Sequence, residues 1–389
     1  MAEATSPFTF NTVSSIVFGE GAAARIGELA AERGWNNVLL VTDPGLVKVG
    51  MIARATAALE QAGVAATVFS DVEADPPEHV VKAAARVATD AGADAVVGLG
   101  GGSSLDVAKL AALLAVGREE LPAIYGVGKA KGPRLPLMLI PTTAGTGSEV
   151  TPISIVTTGT SEKMGVVSPV LYADVALLDP ELTWGLPPAV TAATGIDAMV
   201  HAIEAHTSAS ANNNPVSRAL AREALRLMGG AIERAVKDGS DPAARADMLL
   251  GSMLAGQAFA NSPVAAVHAL AYPIGGHFHV PHGLSNALVL PHVLRFNAET
   301  AGHLYAEIAP IVFPHLAELG TQARGAAFAD ELAGLSLRCG LGPRLRDVGI
   351  PESALEMMAD DAMKQTRLLV NNPRPLTRED ALAIYRAAW

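Results

Sequence analysis

The stretch DAVVGLGGGSSLDVAK, Asp94 to Lys109, decides the fold. It begins as an unbroken apolar run of strand length, passes through four glycines in five residues (Gly98 to Gly102), and continues at helical spacing. A buried strand that feeds a helix through a tight glycine turn is the repeating unit of a parallel sheet. The same alternation surrounds it. NVLLVTD (Asn37 to Asp43), ATVFSDV (Ala66 to Val72) and LPLMLIPTT (Leu135 to Thr143) read as further strands, and HVVKAAARVATDAG reads as a helix closed by Gly92. From Ile16 to about Asp179 the pattern is that of an α/β domain with a parallel sheet.

Beyond about Trp184 the strand signals stop. Three long helical patterns follow, entered through Asn214-Pro215, Asp241-Pro242 and Ser262-Pro263. Proline just inside a helix start, behind a capping side chain, is a favourable N-terminus. The change of pattern at Gly185-Leu186-Pro187 predicts two domains, residues 1–185 as an α/β domain, which the glycine-rich turns below make a dinucleotide-binding one, and 186–389 as an all-helical one. Two domains also suit a chain of 389 residues, longer than one core usually holds.

Composition narrows the function. Half the residues are hydrophobic, and the net charge is -11 with no basic run, which argues against nucleic acid as a partner. The one cysteine, Cys339, excludes a disulfide framework and a cysteine metal site. The N-terminal MAEATSPFTFNTVSS has no charged stretch leading into an apolar core, and Asp, Lys, Gly or Pro break every long apolar run. A cytoplasmic protein with no membrane partner is the expectation.

Two glycine-rich turns at strand ends, GLGGGSSLDVAK and PTTAGTGSEVT (Pro141 to Thr151), suggest a diphosphate site, although neither spells the GxGxxG pattern in register. Asp43, ending its strand, is either a helix cap or the acceptor for an adenosine ribose; the second role favours NAD over NADP. In TAATGIDAMVHAIEAH, Thr191 to His206, Asp197 and His201 stand four residues apart and share one helix face. Such a pair is either a packing contact or half of a divalent-metal site, which His268 and His282 could complete.

These blocks together resemble the iron-containing (group III) alcohol dehydrogenases, which share a dehydroquinate synthase-like fold. The resemblance runs from FTFNTVSSIVFGEGA through HALAYPIGGHFHVPHGLSNALVLPHVLRFN to NNPRPLTREDALAIYRAA. It implies Asp197, His201, His268 and His282 as metal ligands, holding Fe2+, with Zn2+ as the alternative ion. It places cofactor contacts at Asp43, Gly101, Gly102, Ser103, Thr142, Thr143 and Lys163, and a wall of the substrate pocket at Phe259. Two positions depart from the common pattern: Tyr272 stands where many relatives carry a histidine, and Asp75 where many carry asparagine before the proline. The first removes a proton-relay group, for which His277 and His279 are the nearest substitutes in sequence, or leaves Tyr272 simply to shape the pocket.

The activity implied is transfer of a hydride between a small alcohol or aldehyde and NAD(H). A divalent metal would lower the pKa of the alcohol hydroxyl and hold its oxygen. Few aromatics and little positive charge in the helical half favour a small neutral substrate, and a homo-oligomer, dimer or larger, is expected. A lyase of the dehydroquinate-synthase kind is the alternative, but it needs a Lys/Arg cluster that the ligand stretches lack. A nucleotide-binding protein without catalysis is the other, and the complete ligand set speaks against it.

Overall fold

The structure is a computed structural model that describes residues 6–159 and 162–389, so the first five residues of the N-terminal stretch read above lie outside it. The chain divides into two compact units. One comprises Asn11–Thr143 and Gly147–Thr183; the other comprises Trp184–Trp389 with the chain up to Phe10 and the short segment Ala144–Thr146.

The first unit contains the strands β1 (Ile16–Phe18), β2 (Asn37–Val41), β3 (Ala65–Phe69), β4 (Ala95–Gly100), β5 (Gly126–Val127), β6 (Leu137–Pro141), β7 (Ile153–Thr158), β8 (Glu162–Val167) and β9 (Val175–Leu178). Its helices are α1 (Ile26–Glu32), α2 (Pro44–Lys48), α3 (Met51–Gln61), α4 (Glu78–Asp90), α5 (Gly102–Leu114) and α6 (Leu121–Ile124). Six strands form a parallel sheet in the order β1-β9-β6-β4-β2-β3. Val38, Leu40, Val97, Leu99, Met138 and Ile140 alternate along three neighbouring strands and bury one face against Ile26, Leu29, Ile52 and Leu59 of α1 and α3. Leu39, Val96 and Leu139, on the opposite face, are equally buried, as a sheet covered on both sides requires.

A second, three-stranded sheet, β5-β8-β7, was not foreseen. Its β7–β8 pair is antiparallel, and β5 is only two residues long. Threonine, lysine and glutamate dilute the apolar signal in β7 and β8, so neither reads as a buried strand.

The second unit is helical: α7 (Pro188–Thr207), α8 (Pro215–Lys237), α9 (Pro242–Asn261), α10 (Ala266–Phe278), α11 (His282–Val312), α12 (Thr321–Arg338), α13 (Leu355–Ala362), α14 (Thr366–Leu369) and α15 (Arg378–Ala388). α7 is buried nearly all round, among α8, α9 and α11. Ile196, Met199, Val200 and Ile203 are inaccessible to solvent, and each such side chain contributes about 1.5–3 kcal/mol by burial. Asn214 and Asp241 cap α8 and α9, each accepting a backbone N–H at 2.9 Å. The third expected start is displaced. Ser262 closes α9 and donates its hydroxyl to Ala205 O, while α10 begins at Ala266.

Candidate metal centre and nucleotide turns

α7 sets the metal-type site. Its helical repeat stacks Asp197 and His201 on one face, and α10 brings His268 to the same point. One donor atom from each of the three lies within 4.8 Å of the others, and all three side chains are buried. His282, the first residue of α11, joins from the rim: its side chain is 43% exposed and its Nε2 is 3.7 Å from Asp197 Oδ1. Gly283 allows this approach, because a Cβ there would meet Ala193 O of α7 at 2.2 Å.

The chemistry of the donors fits a cation. Burial opposes ionisation of Asp197, but His282, His201, His268 and the amide of Asn286 outweigh it and hold the carboxyl below its usual range. Burial pushes His201 down to about 3 against the pull of Asp197, so its ring is the neutral form that ligates. Most telling is His268 Nε2, a buried nitrogen with no hydrogen-bond partner, 3.7 Å from Asp197 Oδ1. A divalent ion shared by the two would satisfy both.

Each donor is itself held. His201 Nδ1 lies 3.2 Å from Gly145 O. Glu204 Oε2 meets His268 Nδ1 at 2.7 Å, and Asn286 Nδ2 donates to Asp197 Oδ1 at 2.6 Å while lying 3.3 Å from His282 Nε2. Glu204 and Asn286 escaped the reading of the sequence. Spacing could have found them, since Glu204 lies three residues after His201 and Asn286 four after His282, on the same helix faces. Phe259 stacks on His201 with ring centroids 4.3 Å apart, and Tyr272 stands 6.0 Å from the ring of His282. His277 is engaged at 2.5 Å by Asp361, and His279 closes α10 in a left-handed conformation.

The nucleotide-type site belongs to the sheet unit. β2, β4 and β6 are adjacent and parallel, so Asp43, the turn Gly101-Gly102-Ser103 and the pair Thr142-Thr143 all emerge at their carboxyl ends. Asp43 caps α2, its Oδ1 accepting from Gly45 N at 2.8 Å and Leu46 N at 3.1 Å; its Oδ2 faces Gly100. Two of the glycines serve packing. A Cβ on Gly98 would meet Ala108 at 2.7 Å, and one on Gly100 would meet Ser104 at 2.6 Å, so both let α5 lie close on β4. Gly101, the N-cap of α5, has no side chain to bond the first helical N–H groups, and a Cβ there would find nothing nearer than Thr143 at 3.7 Å. That exposed N-terminus suits a phosphate.

Farther along α5, Lys109 and Asp106 fasten the second turn. Lys109 Nζ donates to Ser148 Oγ at 2.8 Å and Ile153 O at 2.7 Å, and Asp106 accepts from Ser148 Oγ at 2.7 Å and Ile155 N at 2.8 Å. Burial pushes the Lys109 ammonium down to about 8 against Asp106 and Glu149, and pushes the Glu149 carboxyl up to about 7. Lys163 donates to Thr157 Oγ1 at 2.9 Å and pairs with Asp75 at 2.7 Å. The departure at Asp75 therefore gives an expected cofactor residue a carboxylate partner.

The family model described as iron-containing alcohol dehydrogenase matches residues 14–180, and that for the C-terminal region of the Fe-containing alcohol dehydrogenase family matches 191–389. The chain belongs to the iron-containing alcohol dehydrogenases. It is similar to long-chain-alcohol dehydrogenase 1 of Geobacillus thermodenitrificans, 43% identical over 97% of each chain. A solved 1,3-propanediol oxidoreductase superposes with a TM-score of 0.95 at 35% identity, covering 98% of this chain and all of that one. Sulfoacetaldehyde reductase from Bifidobacterium kashiwanohense in complex with NAD+ gives a TM-score of 0.88 at 30% identity over 98% of both. As an iron-containing alcohol dehydrogenase, this chain is an oxidoreductase that interconverts an alcohol and an aldehyde with NAD(H) and a divalent metal. No helix among the described residues is long and apolar enough to cross a membrane.

Proposed function

We propose that Asp197, His201, His268 and His282 hold the metal, and that Phe259 and Tyr272 flank the alcohol beside them. We propose Asp43, Gly101, Gly102, Ser103, Thr142, Thr143 and Lys163 as the NAD contacts. In domain terms, residues 1–185 bind the dinucleotide and 186–389 carry the chemistry. The observation that carries this reading is the buried, partnerless Nε2 of His268, turned toward Asp197 by the Glu204 contact on its other nitrogen. A divalent cation in this donor set supplies Lewis acidity toward an alcohol oxygen, and the nicotinamide supplies the hydride acceptor.

The chain's own residues supply the rest. The neutral ring of His201 and the ionised Asp197 present lone pairs without waiting for deprotonation near neutral pH. Phe259, 8% exposed and stacked on His201, keeps water off that side of the donors. A phenol in place of the family's histidine can give or take a hydrogen bond, and the ring of Tyr272 beside His282 shapes the pocket.

The substrate favoured is a short, neutral alcohol or diol and its aldehyde, since the side chains that contact the donors, Phe259, Tyr272, Asn286 and Glu204, include no Lys or Arg. We propose that the enzyme works as a homo-oligomer without nucleic-acid or membrane partners. The deciding experiment is metal analysis of the purified protein followed by alcohols of graded chain length with NAD and NADP. Stoichiometric metal with turnover of short alcohols and NAD is expected. Preference for long-chain alcohols would overturn the substrate assignment, and equal use of both cofactors would overturn the role given to Asp43.

A further inference from the structure

Glu204 lies on α7 beyond His201 and is buried, 5% exposed. Its two carboxylate oxygens do different work. Oε1 accepts the backbone N–H of Val267 at 2.7 Å, and Oε2 meets Nδ1 of His268 at 2.7 Å. Val267 is the second residue of α10, whose N-cap position, Ala265, has no capping side chain. One carboxylate from a neighbouring helix thus satisfies an N–H of the first turn and the ring of the next residue along.

We infer that Glu204 is a positioning residue that fixes His268 as the Nδ1–H form, with its Nε2 lone pair facing Asp197, and so sets the metal affinity of the site. A carboxylate can accept two N–H groups at once, one on each oxygen. A glutamine of the same shape cannot, because one of its two positions is a donor. Placing that NH2 against Val267 N–H sets two donors together; placing it against His268 drives the proton to Nε2, where it blocks ligation. Partners of this kind on ligating histidines typically change metal affinity by about 10- to 100-fold. The inference rests on the metal site proposed above and assigns its tuning to a residue outside the ligand set.

The test is Zn2+ affinity of the metal-stripped protein, measured by chelator competition alongside the melting temperature of each apo form. Glu204→Gln should bind Zn2+ about 10- to 100-fold more weakly, while its apo form melts somewhat lower, because of the mismatched donor, but still in one cooperative transition. Ser262→Ala, which removes the neighbouring hydroxyl bond to Ala205 O, is the packing control and should leave the affinity unchanged. Wild-type affinity in Glu204→Gln overturns the inference, as does equal weakening in both variants, which would mean that any loosening of the packing around the C-terminal half of α7 suffices. Failure of the underlying site gives a different result: His268→Ala would then bind Zn2+ as the wild type does.

Discussion

The two sites are built from different materials. Around the strand ends β2, β4 and β6, the nucleotide-type turns offer mostly backbone, in glycines and a helix N-terminus, with threonine hydroxyls beside it. Around α7, the metal-type site offers side chains, each braced by another side chain or by a carbonyl. A site made of backbone fails when something is added to it, since a new Cβ fills the space the ligand or a neighbouring helix uses. A site made of side chains fails when something is removed, because each group leaves a buried polar partner behind. The direction of the damaging substitution is therefore opposite in the two regions.

The largest expected effect is removal of a ligand. His268→Ala should lower turnover by more than the roughly 100-fold typical of a supporting residue, with stoichiometric metal lost and the apo melting temperature moved little. Retention of metal and turnover would place the site elsewhere. Next come the glycines. Gly100→Ala drives a Cβ to 2.6 Å from Ser104 and should cost about 1–3 kcal/mol of stability, read by denaturant unfolding, together with weaker NADH binding. Gly101→Ala has room and should weaken NADH binding alone; if it lowers stability as much as Gly100→Ala does, the division between packing and ligand glycines is wrong.

A smaller effect is pH-linked. Burial raises the Glu149 carboxyl to about 7, so between its ordinary value of 4.5 and that point the folded state holds a proton that the unfolded chain has released. Stability falls as pH rises through this window and stays lower above it. Glu149→Gln should abolish that slope and be more stable than the wild type at pH 8 than at pH 5, measured as the difference in unfolding free energy; parallel curves would contradict the assignment. Smallest is Tyr272→Phe, which should keep most of the turnover and its pH profile, whereas Tyr272→Ala changes which alcohols are accepted. A large loss in the phenylalanine variant at unchanged metal content would give the hydroxyl a part in proton transfer.

The parallel sheet was legible because β2, β4 and β6 are unbroken apolar runs closed by turn residues, and the long helices because Asn214 and Asp241 mark their starts. The small sheet was not, since β5 has two residues and β7 mixes half-buried isoleucines and threonines with a buried serine. α10 starts later than Ser262-Pro263 suggested, with the Val267 N–H of its first turn bonded by Glu204 of another helix, and a partner that arrives from distant sequence leaves no local mark. The Asp197–His201 pair was readable from i, i+4 spacing on α7, and the structure brings His268 to it. Their partners Glu204 and Asn286 had no signal apart from the helix faces they share, and the ties of Lys109 and Asp106 to residues 148–155 appear only once α5 and that segment are packed together.

α7 also acts as a ruler. Asp197, His201 and Glu204 take their mutual positions from one continuous helix, so a residue inserted or deleted between them would turn everything downstream by about 100° and carry at least one of the three off the face. No adjustment of a neighbouring loop could restore it. Changes of length in this enzyme must therefore collect elsewhere, in the loops between helices, and a designer grafting a new substrate pocket should vary segment lengths there and leave the count from 197 to 204 alone.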